Sequence, residues 1–413
     1  MALIEPFINR NDQLNRLREM LAEVLATNRF QQAKLGAERR IELWEDFRAL
    51  PLCNKGDLAA DAKANPPFGS NLTYPIERYE RYHQTSGTTG SPLRILDTAA
   101  SWDWWCICWD KVLDACQVSS ADRAFFAFSF APFIGFWSAF EAVSRRGALT
   151  VPGGGADSSR RLRILLDTGC TALFCTPTYA LHLAETAKRE GIDLTKSAVR
   201  CLVHAGEPGA SIPAVRKRIE EAWGATPYDH AGSSEVGAFG IPSIDGGGVL
   251  INEEEFIAEV LDPATLSPID EGETGELVLT NLGRWGFPVV RYRTGDIVRP
   301  RRTPQGLLLE GGILGRADEM ILIRSVNLYP AAIEEVIRRV AGIAEFRITA
   351  TRESQMDEVA IELEASTAVC QKVQQELTNE FGIRAPVVSI EESRLPRWEA
   401  KARRFNDLRK ATA

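Results

Sequence analysis

The sequence predicts a two-part α/β protein: a large N-terminal α/β domain with a mostly parallel sheet and a β-rich subdomain, then a small, mobile α+β lid. Three observations predict it. From about residue 120 to 235, apolar runs (AFFAFSF, ALTVP, TALFCTP, RCLVHAG) alternate with helix-like stretches (RRLRILLDTG, ALHLAETAKREG, AVRKRIEEAWG), the rhythm of strands joined through crossover helices. Between 249 and 310 the pattern changes to short alternating strands (FIAEVLD, GELVLTNL, IVRP, GLLLEGG) parted by DP, EGETG and PQG turns, which reads as antiparallel structure. At 413 residues, the chain also exceeds the size at which one hydrophobic core stops growing.

Ahead of these segments, Leu14, Leu17, Met20, Leu21, Val24 and Leu25 fall at helical spacing and predict an amphipathic N-terminal helix. A connector containing Pro and Gly follows it. Beyond Gly315, helix-like IEEVIRRVAG, strand-like EFRITATR and EVAIELEA, helix-like VCQKVQQELTNEFG and a final strand in APVVSIEE supply a second body. The boundary is placed near Asp318, giving a core domain over 1–317 and a lid over 318–413.

Acidic residues outnumber basic ones by 56 to 48, a formal charge of −8. That balance disfavours nucleic acid and anionic membrane as partners, since both attract a basic field. No apolar run reaches the roughly 18 residues of a membrane span, and the N-terminus lacks a signal-like apolar core, so a cytoplasmic protein is expected. The eight cysteines show no CxxC spacing and the four histidines no HExxH or Cys/His cluster. Reduced core thiols and no zinc site are therefore expected.

The stretch HQTSGTTGSP holds two glycines and five hydroxyl residues in ten positions. Backbone N–H groups and hydroxyls from Thr85, Ser86, Gly87, Thr88, Thr89 and Gly90 can converge there on phosphate oxygens without side-chain bulk. A Ser/Thr/Gly surface turn is the competing reading. A P-loop kinase or ATPase is disfavoured, because Gly90 is followed by Ser91 and Pro92 rather than by lysine and a hydroxyl residue. Neither this stretch nor Gly153–Gly155 supplies the GxGxxG of a dinucleotide-binding dehydrogenase.

TSGTTGSP at 85–92 is followed by HAGEPG at 204–209, AGSSE at 231–235, YRTGD at 292–296, GRADEM at 315–320 and a late lysine in RWEAKARR. In this order the motifs resemble the adenylate-forming superfamily, closest to its phenylacetate-CoA ligase-like subfamily. LPLCNKGDL, over 50–58, is similar to that subfamily's lead into the phosphate loop. The resemblance implies a ligase that joins a carboxylic acid to the α-phosphate of ATP, releases pyrophosphate and passes the acyl group to CoA. It implies that Thr85 to Gly90 hold the β- and γ-phosphates and that Glu235, with Ser234 beside it in the nucleotide site, binds Mg2+. Asp296 would accept both ribose hydroxyls, and Gly206, Glu207 and Pro208 would line adenine. Arg316 would lie at the nucleotide and Asp318 in the hinge, while Lys401 would bridge the attacking carboxylate and the α-phosphate. Read alone, Glu235 is a solvated loop acid, Asp296 a turn residue and Lys401 one cation in a basic tail.

The chain departs from that pattern at three positions. Ala231 stands where relatives usually carry the tyrosine that covers adenine, leaving the stacking surface missing or supplied by His230 or Tyr228. Ser325 and Ala400 replace glycines, changes that bear on the transfer to CoA. Residues 236–260 contain neither Cys nor His, so the zinc site of some relatives is not expected. FAFSFAPFIGFWSAF concentrates six phenylalanines and Trp137; Phe133, Gly135, Phe136 and Trp137, with His204 and Gly232, are the candidate acid pocket, against the alternative that such residues are core. The subfamily resemblance implies an aromatic acid as the small-molecule substrate. A carrier-protein thiol or an amine is the alternative acceptor, a non-catalytic nucleotide-binding protein the alternative class, and a homodimer a reasonable family expectation.

Overall fold

Five short strands, Leu149–Pro152, Arg123–Phe126, Ala172–Cys175, Cys201–His204 and Thr226–Asp229, lie side by side in that order in a wholly parallel sheet. The computed structural model describes residues 10–85, 92–130, 132–319, 321–323, 326–353, 356–383, 385–396 and 404–409. The strands Ala172–Cys175 and Cys201–His204 are buried throughout, as a sheet covered on both faces requires. One face packs on Leu162, Leu165, Tyr179, Leu183, Val215, Ile219 and Trp223, from the helices Ser158–Asp167, Pro177–Arg189 and Pro213–Trp223. Local chemistry sets their ends: Asp157 and Thr176 cap backbone amides at two of the starts, and Gly224 closes the third helix in the left-handed conformation.

The other face carries the helix Ala99–Ala115, whose Trp102, Trp104, Trp105 and Trp109 are all buried. There Phe126 stacks on Phe174 with ring centroids 4.4 Å apart. The β-rich region forms two antiparallel sheets. One runs Pro300–Thr303, Gly306–Glu310, Gly248–Ile251, Gly237–Pro242, Ala231–Ser233; the other runs Phe256–Leu261, Gly275–Asn281, Tyr292–Val298, Gly315–Arg316. The helix Arg10–Thr27 buries the predicted apolar stripe against Ile257, Leu282 and Val290. From Ile321 onward a separate core surrounds a four-stranded sheet, Val387–Ser389, Met356–Leu363, Phe346–Glu353, Phe405–Asp407, with helices Pro330–Arg339 and Thr367–Phe381.

Two elements differ from the sequence reading. The connector before the phosphate loop forms a hairpin, Tyr79–Gln84 with Arg94–Thr98. The predicted strand AFFAFSF ends at Phe126, because Ala127 turns its amide to Phe174 and the chain leaves the sheet. All eight cysteines are buried free thiols, and burial pushes their proton affinity up, Cys53 and Cys201 to about 11 and Cys106 to about 12. Among the described residues no helix is long and apolar enough to cross a membrane. Because Phe174 fills the sheet interior on the tryptophan side, Phe174→Ala is expected to lower unfolding free energy by about 3–5 kcal/mol, measured by urea denaturation.

Candidate active site

The carboxyl ends of the parallel strands open onto the motif loops, where ligands of such sheets bind. The strand Cys201–His204 delivers the turn 205–209, in which Gly206 takes a positive φ of +94° that favours glycine. Asp229, ending the neighbouring strand, accepts the amides of Gly209 (3.3 Å), Ala210 (2.8 Å) and Ser211 (2.6 Å), so the turn carrying Gly206, Glu207 and Pro208 is pinned from behind. The Glu207 carboxylate accepts the amide of Thr178 at 2.9 Å. His204 is fully buried; its Nδ1 lies 3.1 Å from the Cys175 carbonyl, Nε2 has no partner among the described residues, and burial lowers its proton affinity.

The loop bearing Ser234 and Glu235 is held by an ion pair with no solvent exposure. Arg284 donates Nε and Nη2 to the two carboxylate oxygens of Asp97, each at 2.7 Å, and Nη1 to the carbonyls of Ser234 (2.7 Å) and Glu235 (3.2 Å). Trp105 and Phe287 lie against the guanidinium at 5.1 and 5.4 Å. The Glu235 side chain faces Lys55, whose Nζ stands 3.1 Å away. Lys55 comes from the LPLCNKGDL segment, and neither it nor Asp97 and Arg284 is singled out by sequence pattern.

Asp296 and Arg316 sit opposite each other on paired strands and form an ion pair of 2.9 Å. Arg316 also donates to the Thr294 carbonyl and approaches Asp318 at 3.3 Å, so one guanidinium joins the nucleotide and hinge candidates. Gly295 makes room for it: its φ is +77°, and a Cβ there would stand 2.5 Å from Arg316 Nη2. The phenol of Tyr292, on the strand that carries Asp296, is buried, and burial first and then nearby negative charge, Glu235 foremost, hold it protonated.

The aromatic segment divides. Phe136 is buried among Phe126, Phe128, Phe174 and Trp109. A Cβ on Gly135 would stand 2.8 Å from Phe128, so that position has to be bare. Trp137 meets Phe130 edge-on at 4.7 Å, whereas Phe133 is 44% exposed and stands apart from the cluster. His230 packs on Trp109 at 4.2 Å, donates Nδ1 to the Gly240 carbonyl at 2.7 Å, and turns Nε2 to within 3.0 Å of where a Cβ on Gly232 would be. His230 is thus held by Trp109 on one side and by the Gly240 carbonyl at Nδ1. Thr85 is buried, and its hydroxyl accepts the Leu93 amide at 3.1 Å, closing the base of the loop. Ser86, Gly87, Thr88, Thr89, Gly90, Ser325, Ala400 and Lys401 lie outside the described residues.

Two measurements test this construction. Asp97→Asn leaves the Arg284 guanidinium buried without a counter-charge, and should cost about 3–5 kcal/mol and lower Tm. His230, pushed down to about 4 from 6.5 by burial, stays neutral in the folded chain while an unfolded imidazole titrates. Between those values the unfolded state binds more protons, so stability is complete above pH 6.5 and falls toward pH 4, by about 3 kcal/mol from this residue. His230→Gln should flatten that part of the stability profile in denaturation followed against pH.

The chain is similar to known proteins over most of its length. The family profile described as "AMP-binding enzyme C-terminal domain" matches residues 325–409. The phenylacetate-coenzyme A ligase of Escherichia coli (strain K12) is 30% identical, over 88% of this chain and 86% of that one. Its namesake from Pseudomonas putida is 31% identical, over 88% and 83%. Among solved structures, 2-hydroxyisobutyryl-CoA ligase in the postadenylation state, in complex with R3-HIB-AMP, superposes with a TM-score of 0.89 at 29% identity, covering 96% of this chain and 89% of that one. In its thioesterification state the same enzyme covers 97% and 91% with a TM-score of 0.72, also at 29% identity. The two parts of the present chain thus stand closer to the postadenylation arrangement, and the chain belongs to the phenylacetate-CoA ligase family of adenylate-forming, AMP-binding acid–CoA ligases.

Proposed function

We propose that the chain activates an aromatic carboxylic acid with Mg-ATP and transfers the acyl group to CoA. The observation that most supports the assignment of roles is the ion pair of Asp296 with Arg316, whose guanidinium also reaches Asp318 and so links the ribose candidate to the hinge candidate. In the first step a carboxylate oxygen attacks the α-phosphorus, and the bond to pyrophosphate breaks with its electron pair leaving on pyrophosphate. In the second, the CoA sulfur attacks the acyl carbon and AMP departs.

In this reading the turn Gly206–Glu207–Pro208, braced by Asp229, presents backbone groups to adenine, and Asp296 accepts the ribose hydroxyls while Arg316 holds its carboxylate in place. The loop beginning at Thr85 cradles the phosphates, and Lys401 supplies the cation at the attacked phosphate. Among the described residues no group of three or more His, Cys, Asp or Glu could hold a metal. One carboxylate, Glu235, completed by phosphate oxygens, nevertheless fits Mg2+, which is commonly held by one or two carboxylates plus substrate phosphates. Magnesium there would neutralise the departing pyrophosphate. Lys55 supplies the cation that Glu235 holds in this arrangement.

For the acid, the ring cluster of Phe128, Phe136 and Trp109 reaches His230 through Trp109, with Gly232 next to His230, surroundings that would suit an aromatic ring. Phe133, being exposed, is assigned to the rim. Asp318 is assigned to the hinge and 318–413 to the moving lid. A carrier-protein thiol is the competing acceptor, and a cytoplasmic homodimer completes the reading.

ATP–pyrophosphate exchange with a panel of aryl and short hydroxy acids tests the proposal. Exchange with an aryl acid and formation of its CoA thioester are expected. Lys401→Ala should slow exchange by about 100-fold or more while leaving ATP affinity nearly unchanged. ATP binding with no exchange for any acid would overturn the assignment.

A further inference from the structure

Arg404 lies three residues beyond Lys401 and has a 9% exposed side chain. Its backbone carbonyl accepts the Ile348 amide at 2.8 Å, which places it in the C-terminal sheet. Nε and Nη2 clasp the two oxygens of Glu345 at 2.6 and 3.0 Å, Glu334 stands 3.8 Å away, and the guanidinium lies over Phe346. Up to this point Arg404 is an internal fastening of the lid. Its remaining arm, however, leaves that body: Nη1 donates to Thr178 Oγ1 at 3.2 Å, across the boundary with the large domain.

Thr178 belongs to the first turn of the helix Pro177–Arg189, and its amide is the one held by Glu207 of the adenine turn. Glu207 also raises the proton affinity of Arg404 through space. A chain of contacts therefore runs from the nucleotide turn, through Thr178, to the residue that anchors the segment following Lys401. Around it the seam is loosely filled, with a small cavity bordered by His182, Glu185, Arg218, Ile337 and Arg338. Where apolar packing is incomplete, a directed hydrogen bond from a buried cation has more influence on which arrangement is occupied.

We propose that Arg404 is a positioning residue for the adenylation half-reaction: its bond to Thr178 holds the lid docked against the nucleotide turn and must break before the lid can present its thioester-forming face. Arg404 and Glu345 belong to the same body, so the movement breaks the Thr178 bond and separates Arg404 from Glu207 while the Glu345 clasp is kept. The inference rests on the acid–CoA ligase reading for its kinetic readout, but its structural readout does not.

Thr178→Val removes the acceptor while preserving shape and the Glu207 contact; Thr178→Ser restores the acceptor. Thr178→Val is expected to slow ATP–pyrophosphate exchange about 10-fold, to leave thioester formation from supplied acyl-adenylate and CoA within about twofold by the same reasoning, and to be rescued by Thr178→Ser. Spin labels on Lys188→Cys and Asn379→Cys, both exposed on opposite bodies, should report a broader distance distribution in the Thr178→Val protein with ATP bound. A distribution identical to that of the unsubstituted protein would overturn the proposal whether or not any acid is activated. Equal slowing of both half-reactions would overturn it too.

Discussion

The pair between Asp97 and Arg284 is the constraint on which the site depends. Both side chains are wholly withdrawn from water, so their charges are compensated by each other, by two carbonyls and by the faces of two rings. Apolar residues of similar volume could fill that space with comparable stability. What they could not supply is direction: a planar fork that satisfies Asp97 with two arms has one left, aimed at Ser234 and Glu235. The strand after the phosphate loop and the loop carrying the acidic candidate are thereby held in one fixed relation. Trp105 and Phe287 exclude the water that would let this relation relax.

Much of the parallel sheet was legible, because runs such as ALFC and CLVH are buried on both faces and have no polar alternation. The hairpin before the phosphate loop was not. YERYHQ is largely exposed and carries no apolar face, so only pairing with Arg94–Thr98 makes it a strand. Phe405–Asp407 is likewise three residues of a basic tail until it aligns parallel to Phe346–Glu353. Local pattern contains neither partner.

The same division runs through the site. Glu235 and Asp296 could be named because each sits inside a short motif, whereas the space that Gly295 leaves for Arg316 shows only in the folded chain. Arg284 could not, since its counter-ion is 187 residues away, and Asp229 could not, since its role consists of three amides that lie 20, 19 and 18 residues earlier in the chain. The aromatic segment was ambiguous for a physical reason. Packing a core and walling a pocket both call for rings, and Phe136 contributes to one stack that serves both sides.

The buried cysteines have a consequence for an enzyme whose product is an activated acyl group awaiting a thiol. Such an intermediate reacts with whatever sulfur nucleophile reaches it, and the nucleophile is the thiolate. This chain carries eight thiols of its own, all enclosed, and desolvation raises the proton affinity of every one. Its cysteines therefore fill space as small apolar groups, and burial keeps them in the thiol form that is the poorer acceptor.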